Sequence, residues 1–255
     1  LYTMADSAIV GRYVSEGALA AVGASYSLTN VFICIAVGGG MGASVVVGRY
    51  YGAHRYTDVK RAFTTSFIAF GILSLLLGGI GLLFSRQIML LLQTPEDVLD
   101  QAAEYLNIYF LGLPFLFLYN ILSSMFNALG KSRIPLYFLI FSSVLNVALD
   151  LLMVTVFQWG VAGAAWATLI AQGLSAILSF FFFLRELKAL HCGKAPLFDT
   201  AELSAMTRIA LPSMLQQSTV SIGMMLVQSV VNSFGSQALA GFSAGMRIES
   251  LCIVP

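Results

Sequence analysis

Charge is the scarcest commodity in this 255-residue chain. Asp, Glu, Lys and Arg together make up 10% of it, against 58% hydrophobic residues and a mean hydropathy of +0.87. An ordinary soluble domain carries about 25% charged residues, so that class is excluded. Cysteine is nearly absent as well. Cys34, Cys192 and Cys252 have neither paired nor ligand spacing, which argues against a disulfide framework or a zinc site and leaves them as packing residues. The two histidines, His54 and His191, fall in polar connections with no ligand partners near them in sequence. No set of nucleophile, base and orienting group can be assembled, and an enzymatic reading has little to stand on. Strand-like alternation is missing too.

What fills the chain is a series of apolar stretches, each about the 20 residues a helix needs to cross ~30 Å of hydrocarbon. They run from Leu1 to Val10, Ala18 to Gly48, Ala62 to Phe84, Ala103 to Leu129, Ile134 to Phe157, Val161 to Leu184 and Ile209 to Phe234, with a last one beginning near Ala238. A lone apolar segment in lipid can satisfy its backbone only internally, so each is expected to be a helix. The expected fold is therefore all-α, a polytopic membrane bundle with about eight spans in this chain.

The few charges order these spans. Arg49, Arg55, Lys60 and Arg61 follow the second span, Lys131 and Arg133 the fourth, and Arg185, Lys188, Lys194 and Arg208 the sixth. Ten of the thirteen basic residues thus occupy alternate connections, which the positive-inside rule assigns to the cytoplasm. The opposite connections agree: Glu96, Asp97, Asp100 and Glu104 face Arg86 alone, and Gln158-Trp159-Gly160 carries no charge. A missed span would break this alternation.

The polar stretch 185–208 reads as a cytoplasmic linker between a bundle at 1–184 and the start of a second at 209–255. A weak repeat supports the division. Ala18-Leu19-Ala20 aligns with Ala238-Leu239-Ala240 after similar apolar-to-loop profiles, and internal repeats of this kind are common in transporters. On this reading the chain is a fragment of a protein of roughly twice its length, its first helix truncated and its second bundle barely begun.

Polar residues within the spans fall on helical stripes. The fifth span has Ser142/Ser143, Asn146 and Asp150; the fourth has Asn120, Ser123/Ser124 and Asn127; the sixth has Thr168, Gln172, Ser175 and Ser179. Neutral stripes often serve only to bond neighbouring helices. Asp150, and Asp6 in the first span, are different, because a carboxylate at bilayer depth costs ~2.5–3.5 kcal/mol even on a lenient scale. Two carboxylates facing one cavity, with no basic residue in the same spans, must hold a proton or share a cation. Oxygens of Asn120, Asn146 and Thr168 would supply hard neutral ligands, so both H⁺ and Na⁺ are open. A Na⁺ ion would draw on Asp6, Asn146 and Asp150. Substrate contact is expected at Tyr2, Tyr105, Tyr109 and Gln172. Arg247 and Glu249, two apart in the last span, do not face each other and read as residues beside an aqueous cavity. Gly38-Gly39-Gly40 with Gly42 and Gly48 lacks the preceding strand and the Lys-Ser/Thr ending of a phosphate loop and reads as close helix packing.

Several segments together resemble the multidrug and toxic compound extrusion (MATE) family. They are Leu1-Tyr-Thr-Met-Ala-Asp6-Ser-Ala-Ile-Val-Gly-Arg12 with Ala18-Leu-Ala-Ala-Val-Gly23, Gly48-Arg-Tyr-Tyr-Gly-Ala53, Leu113-Pro114, Asn127-Ala-Leu-Gly130, Asn146-Val-Ala-Leu-Asp150, and Gly160-Val-Ala-Gly-Ala-Ala-Trp-Ala-Thr168. The resemblance implies a transporter of two six-helix bundles in the bacterial plasma membrane, exporting organic cations or drugs in exchange for H⁺ or Na⁺ by alternating access. It also implies a cation site in the first bundle at Asp6, Asn120, Asn146, Asp150 and Thr168. The seventh span has Gln216, Gln217 and Gln228 but no Glu, which is similar to the DinF-like branch and puts a second cation site in doubt. No cofactor beyond the coupling ion is expected. The expected partners are small cationic molecules and membrane lipid, not nucleic acid, and the protein is expected to act as a monomer. The rival reading is a lipid-linked precursor flippase of the same superfamily, which would want basic residues in its cavity.

Overall fold

A computed structural model describes residue 9 and residues 16–91, 96–190 and 196–233. Tyr2, Asp6, Arg247 and Glu249 lie outside the described residues, as do the bulk of the truncated first span and the last one. The described chain is helical: α1 (Glu16–Gly52), α2 (Tyr56–Leu91), α3 (Glu96–Ala128), α4 (Arg133–Asp150), a π-helical turn (Leu151–Val156), α5 (Gly160–Ala189) and α6 (Thr200–Ser233). Two compact units result, Leu1–Met214 and Leu215–Pro255; of the second, the described part is the C-terminal half of α6, and every contact given below lies within the first.

Among the described residues, five helical segments are long and apolar enough to cross a membrane: Leu28–Gly52, Tyr56–Leu90, Leu99–Ala128, Arg133–Val156 and Gly160–Ala189. They coincide with the second to sixth spans. The helices outrun the apolar stretches at several ends, because a helix does not need lipid to continue once its backbone is bonded. α5 thus continues to Ala189 and α6 begins at Thr200, inside the stretch read as linker. The Asp199 carboxylate accepts the Ala201 N–H at 2.8 Å and so caps α6. α6 forms where the seventh span was expected but is not among the five. Ser213, Gln216, Gln217, Ser218, Thr219 and Ser221 dilute its apolar character.

α3 is the axis of the first unit, packing against α1, α2 and α5. It supplies Leu106, Phe110, Leu113, Phe117, Leu122, Met125 and Phe126 to the core, each at most 1% exposed. Phe110 meets Phe32 of α1 edge-on at 5.4 Å, and Phe126 meets Phe183 of α5 at 5.2 Å. α2 has the opposite character. Leu75, Leu76, Leu83 and Phe84 are more than half exposed, as a lipid-facing helix requires.

The glycine run brings α1 close to three neighbours at once. A Cβ on Gly42 would stand 2.7 Å from the Met206 carbonyl oxygen of α6, one on Gly39 would stand 2.4 Å from the Phe70 ring of α2, and one on Gly40 would stand 2.6 Å from Ser124 Oγ of α3. Close helix packing is the role these glycines have. The α3–α4 turn closes with Gly130 at φ +72°, its N–H bonding to Asn127 O and that of Lys131 to Phe126 O. This is a Schellman end, and glycine supplies the left-handed residue it needs.

At the end carrying the basic connections, α6 is tied down by charge. Glu202, 4% exposed, accepts Arg61 Nη2 at 2.6 Å, Arg61 Nε at 3.1 Å and the Tyr50 hydroxyl at 2.8 Å, all on Oε1. Arg61 is shared with Asp58 and Asp199.

Candidate cation site

α4 presents Ser142, Asn146 and Asp150 at four-residue intervals on one face, and all three are buried. Asp150 is 0% exposed and Asn146 1%. The stripe faces inward because lipid cannot satisfy these groups. Asn146 Nδ2 donates to Thr168 Oγ1 of α5 at 3.1 Å, so one predicted pair is in direct contact. The Asn146 Oδ1 acceptor is buried with no hydrogen-bond partner among the described residues.

An apolar cluster borders this stretch of α4. Val147 lies one turn before Asp150 and Val154 one turn after it, both belonging to a cluster with Tyr105 and Ile108 of α3 and Val161, Ala164 and Ala165 of α5. No Lys or Arg occurs anywhere from Ile134 to Leu184, so nothing basic on these two spans offsets the carboxylate.

The other expected residues divide between two neighbouring spaces. Tyr105, Tyr109, Thr168 and Gln172 line a cleft of about 10 Å³ between α3 and α5, room for one water. The Tyr109 hydroxyl donates to Thr29 O of α1 at 3.1 Å. Asn120 and Gln172 line a larger cavity of about 220 Å³ with Tyr119, Ser142 and Ser175. Asn120 Nδ2 is spent on Leu116 O of its own helix at 2.8 Å. Asn120 is therefore placed with Gln172 and Ser142, while Asn146 and Thr168 stand against each other. Tyr119, which sequence reasoning passed over, joins the cavity with its hydroxyl donating to Pro135 O at 3.1 Å; its adjacency to Asn120 was the available signal. The Tyr50, Arg61 and Glu202 cluster was also missed.

Among the described residues no three His, Cys, Asp or Glu side chains come together as a metal group. The donor set here is one carboxylate with amide and hydroxyl oxygens, which suits a proton or a hard monovalent ion rather than a transition metal.

Residues 1–152 match the family model described as MatE. The chain belongs to the MatE family. Residues 93–240 of this MatE chain also match the model described as lipid II flippase MurJ. Over 251 residues the chain is 30% identical to the probable multidrug resistance protein YpnP of Bacillus subtilis (strain 168), covering 98% of this chain and 56% of that one. It is 31% identical over 255 residues to the probable multidrug resistance protein YoeA of the same organism, covering 96% and 55%. A crystal structure of MATE in the bent conformation superposes with a TM-score of 0.88 at 26% identity, over 100% of this chain and 57% of that one. This MatE chain thus spans a little over half the length of the relatives it matches.

Proposed function

We propose that the transporter carrying this chain is a cation-coupled antiporter of the bacterial plasma membrane that exports organic cations or drugs, and that this chain holds its coupling site. The observation that carries the reading is Asp150: a carboxylate wholly buried between membrane-spanning helices, one turn from an Asn146–Thr168 pair whose Asn oxygen is still open to a ligand. Asp150, with Asp6, Asn146, Thr168 and Asn120, binds H⁺ or Na⁺. Tyr105, Tyr109, Gln172 and Tyr2 contact substrate. Coupling ion and cationic substrate compete for the same negative region, and exchange follows if each binds the outward and inward states with different affinity. The names of the relatives support drug export as the direction of transport.

A lipid-linked precursor flippase is the second reading, favoured by the match of residues 93–240 to MurJ. An anionic head group needs basic side chains around it, and none of the described residues lining the two spaces above is Lys or Arg. The test is efflux of a fluorescent cationic dye from vesicles carrying the complete transporter, under imposed H⁺ or Na⁺ gradients, for wild type and Asp150→Asn. Gradient-driven export that disappears in the variant supports the antiporter and names the ion. Export that survives the substitution overturns the role of Asp150, and the absence of export under either gradient turns the assignment to the flippase.

A further inference from the structure

The cavity of about 220 Å³ is not the space that holds Asp150, and its position points to a use. Gln172 and Leu116 line both this cavity and the small cleft that contains Thr168. Thr168 in turn holds Asn146, one turn from Asp150. On α4 the same connection is made by the stripe itself, since Ser142 lines the cavity and lies one turn before Asn146. Two helices therefore lead by polar steps from the carboxylate into one chamber.

The direction of those steps is the same on every helix. Along α4, going from Asp150 back to Ser142 moves about 12 Å toward Arg133, at 1.5 Å per residue. Along α5, Thr168, Gln172 and Ser175 descend toward Arg185 and Lys188. Along α3, Tyr105 and Tyr109 come first, and Tyr119 and Asn120 follow toward Lys131. All three run to the end whose connections carry the basic residues, the cytoplasmic end by the positive-inside rule.

The chamber is built to be wet and neutral. Tyr119 and Ser175 donate to the carbonyls of Pro135 and Phe138, each at 3.1 Å, and the Ser175 oxygen can still accept from water. Asn120, Ser142 and Gln172 add further polar atoms, and the volume exceeds several times what one water requires. Ile33 and Leu139 in its lining are 37% and 38% exposed, so the chamber is not sealed on every side.

We propose that the coupling cation passes between Asp150 and the cytoplasmic side through the interior of this bundle, by way of Thr168, Gln172 and the water-filled chamber at Ser142, Asn120 and Ser175. This rests on the antiporter reading and adds to it a route by which the ion leaves the tyrosine-lined cleft at Gln172 and continues through the chamber. Ser142 is a gatepost of that route and takes no part in holding the ion.

Two measurements on the complete transporter test it. In a version with Cys34, Cys192 and Cys252 replaced, Ser142→Cys is exposed to a small, permanently charged methanethiosulfonate from each side of oriented vesicles. Modification from the cytoplasmic side is expected; a thiol that stays unreactive from that side overturns the route. Second, Ser142→Leu fills the chamber with an apolar side chain, and gradient-driven cation flux is expected to fall more than about tenfold because the ion must then cross without water. Ser142→Ala leaves the space open and keeps flux within about twofold, as a small change away from the ion should. Equal flux in all three overturns the proposal, as does a loss in Ser142→Ala matching that in Ser142→Leu. The labelling reads water and not coupling, so the two ideas fail separately. A reactive Ser142→Cys with no export under either gradient removes the antiporter assignment alone, and an unreactive one with export lost in Asp150→Asn removes the route alone.

Discussion

Replacing Asn146 by Leu separates a structural strut from a working ligand, because the two roles predict opposite changes in stability. The side chain is 1% exposed, so its polar groups compete with nothing but their neighbours. Among the described residues its amide makes one hydrogen bond, to Thr168 at 3.1 Å, and its carbonyl oxygen makes none. Losing the bond costs about 0.6 kcal/mol on the membrane-protein average. Removing an unsatisfied buried acceptor returns about 1–3 kcal/mol. Thr168 loses little further, since a helical threonine can turn its hydroxyl to the carbonyl four residues back. Leu is similar to Asn in shape and branches at the same carbon, so the sum lies between zero and about 2 kcal/mol of stabilisation. Thermal unfolding of the complete transporter in detergent should show Asn146→Leu at least as stable as wild type. Cation-driven dye export should be lost in the same preparation, because this buried oxygen, which accepts no hydrogen bond among the described residues, is the one a coupling ion would use. A variant destabilised by more than about 1 kcal/mol that still exports would refute the reasoning and make Asn146 a strut.

The ion cluster under α6 gives a second prediction, also read by thermal unfolding. Arg61→Ala leaves Glu202 buried with only Tyr50 to hold its charge and should cost about 3–5 kcal/mol, whereas Glu202→Gln keeps a hydrogen-bonding group and should cost about 1–2. The reverse order would show that Glu202 is not a buried anion held by Arg61. At the α1–α6 crossing, a methyl on Gly42 would stand 2.6 Å from Ala210 Cβ and 2.7 Å from Met206 O, where backbone cannot yield. Gly42→Ala should therefore cost about 1–3 kcal/mol. Gly52→Ala, with no atom within 4 Å of the new methyl, should stay within about 0.5 kcal/mol of wild type. Equal stability of the two would mean that α6 does not rest on the glycine stripe.

Much of this architecture is written in one-dimensional pattern. Charges in alternate connections count the spans, and the five segments able to cross the membrane fall where the alternation puts them. The glycine run is legible because three adjacent small residues on one helix can only invite neighbours in. The stripe of Ser142, Asn146 and Asp150 is legible because lipid forbids the outward orientation. What pattern cannot carry is which stripes meet. Asn120 and Asn146 look equivalent on their helices, yet only Asn146 contacts Thr168, and Asn120 spends its amide on its own backbone. Arg61 and Glu202 are 141 residues apart, and no local signal pairs them. α6 illustrates the converse, a helix in the place of a span whose Ser, Thr and Gln residues lower its average hydropathy.

The π-helical turn at Leu151–Val156 was also invisible, having no proline or glycine to announce it, and its placement bears on the site. Asp150 is the last residue in α register, so it stays in line with Asn146 and Ser142. Beyond it the bonds lengthen by one residue, as in Phe157 N–H to Leu152 O at 3.1 Å, and the Thr155 hydroxyl turns back to Leu151 O. The chain must then reverse into α5 through Gln158 and Gly160, both at positive φ, while Gly163 lets the Met153 backbone approach to 3.3 Å of where its Cβ would be. A continuous α-helix would carry the stripe's register straight into that reversal, and the tight crossing would then fix the angle of the carboxylate. The extra residue lets Met153 and Val154 meet the crossing while Asp150 keeps the register of the stripe. An ionisable group that must hold one orientation beside a sharp reversal is best placed on the α side of such a junction, and that is where this sequence has it.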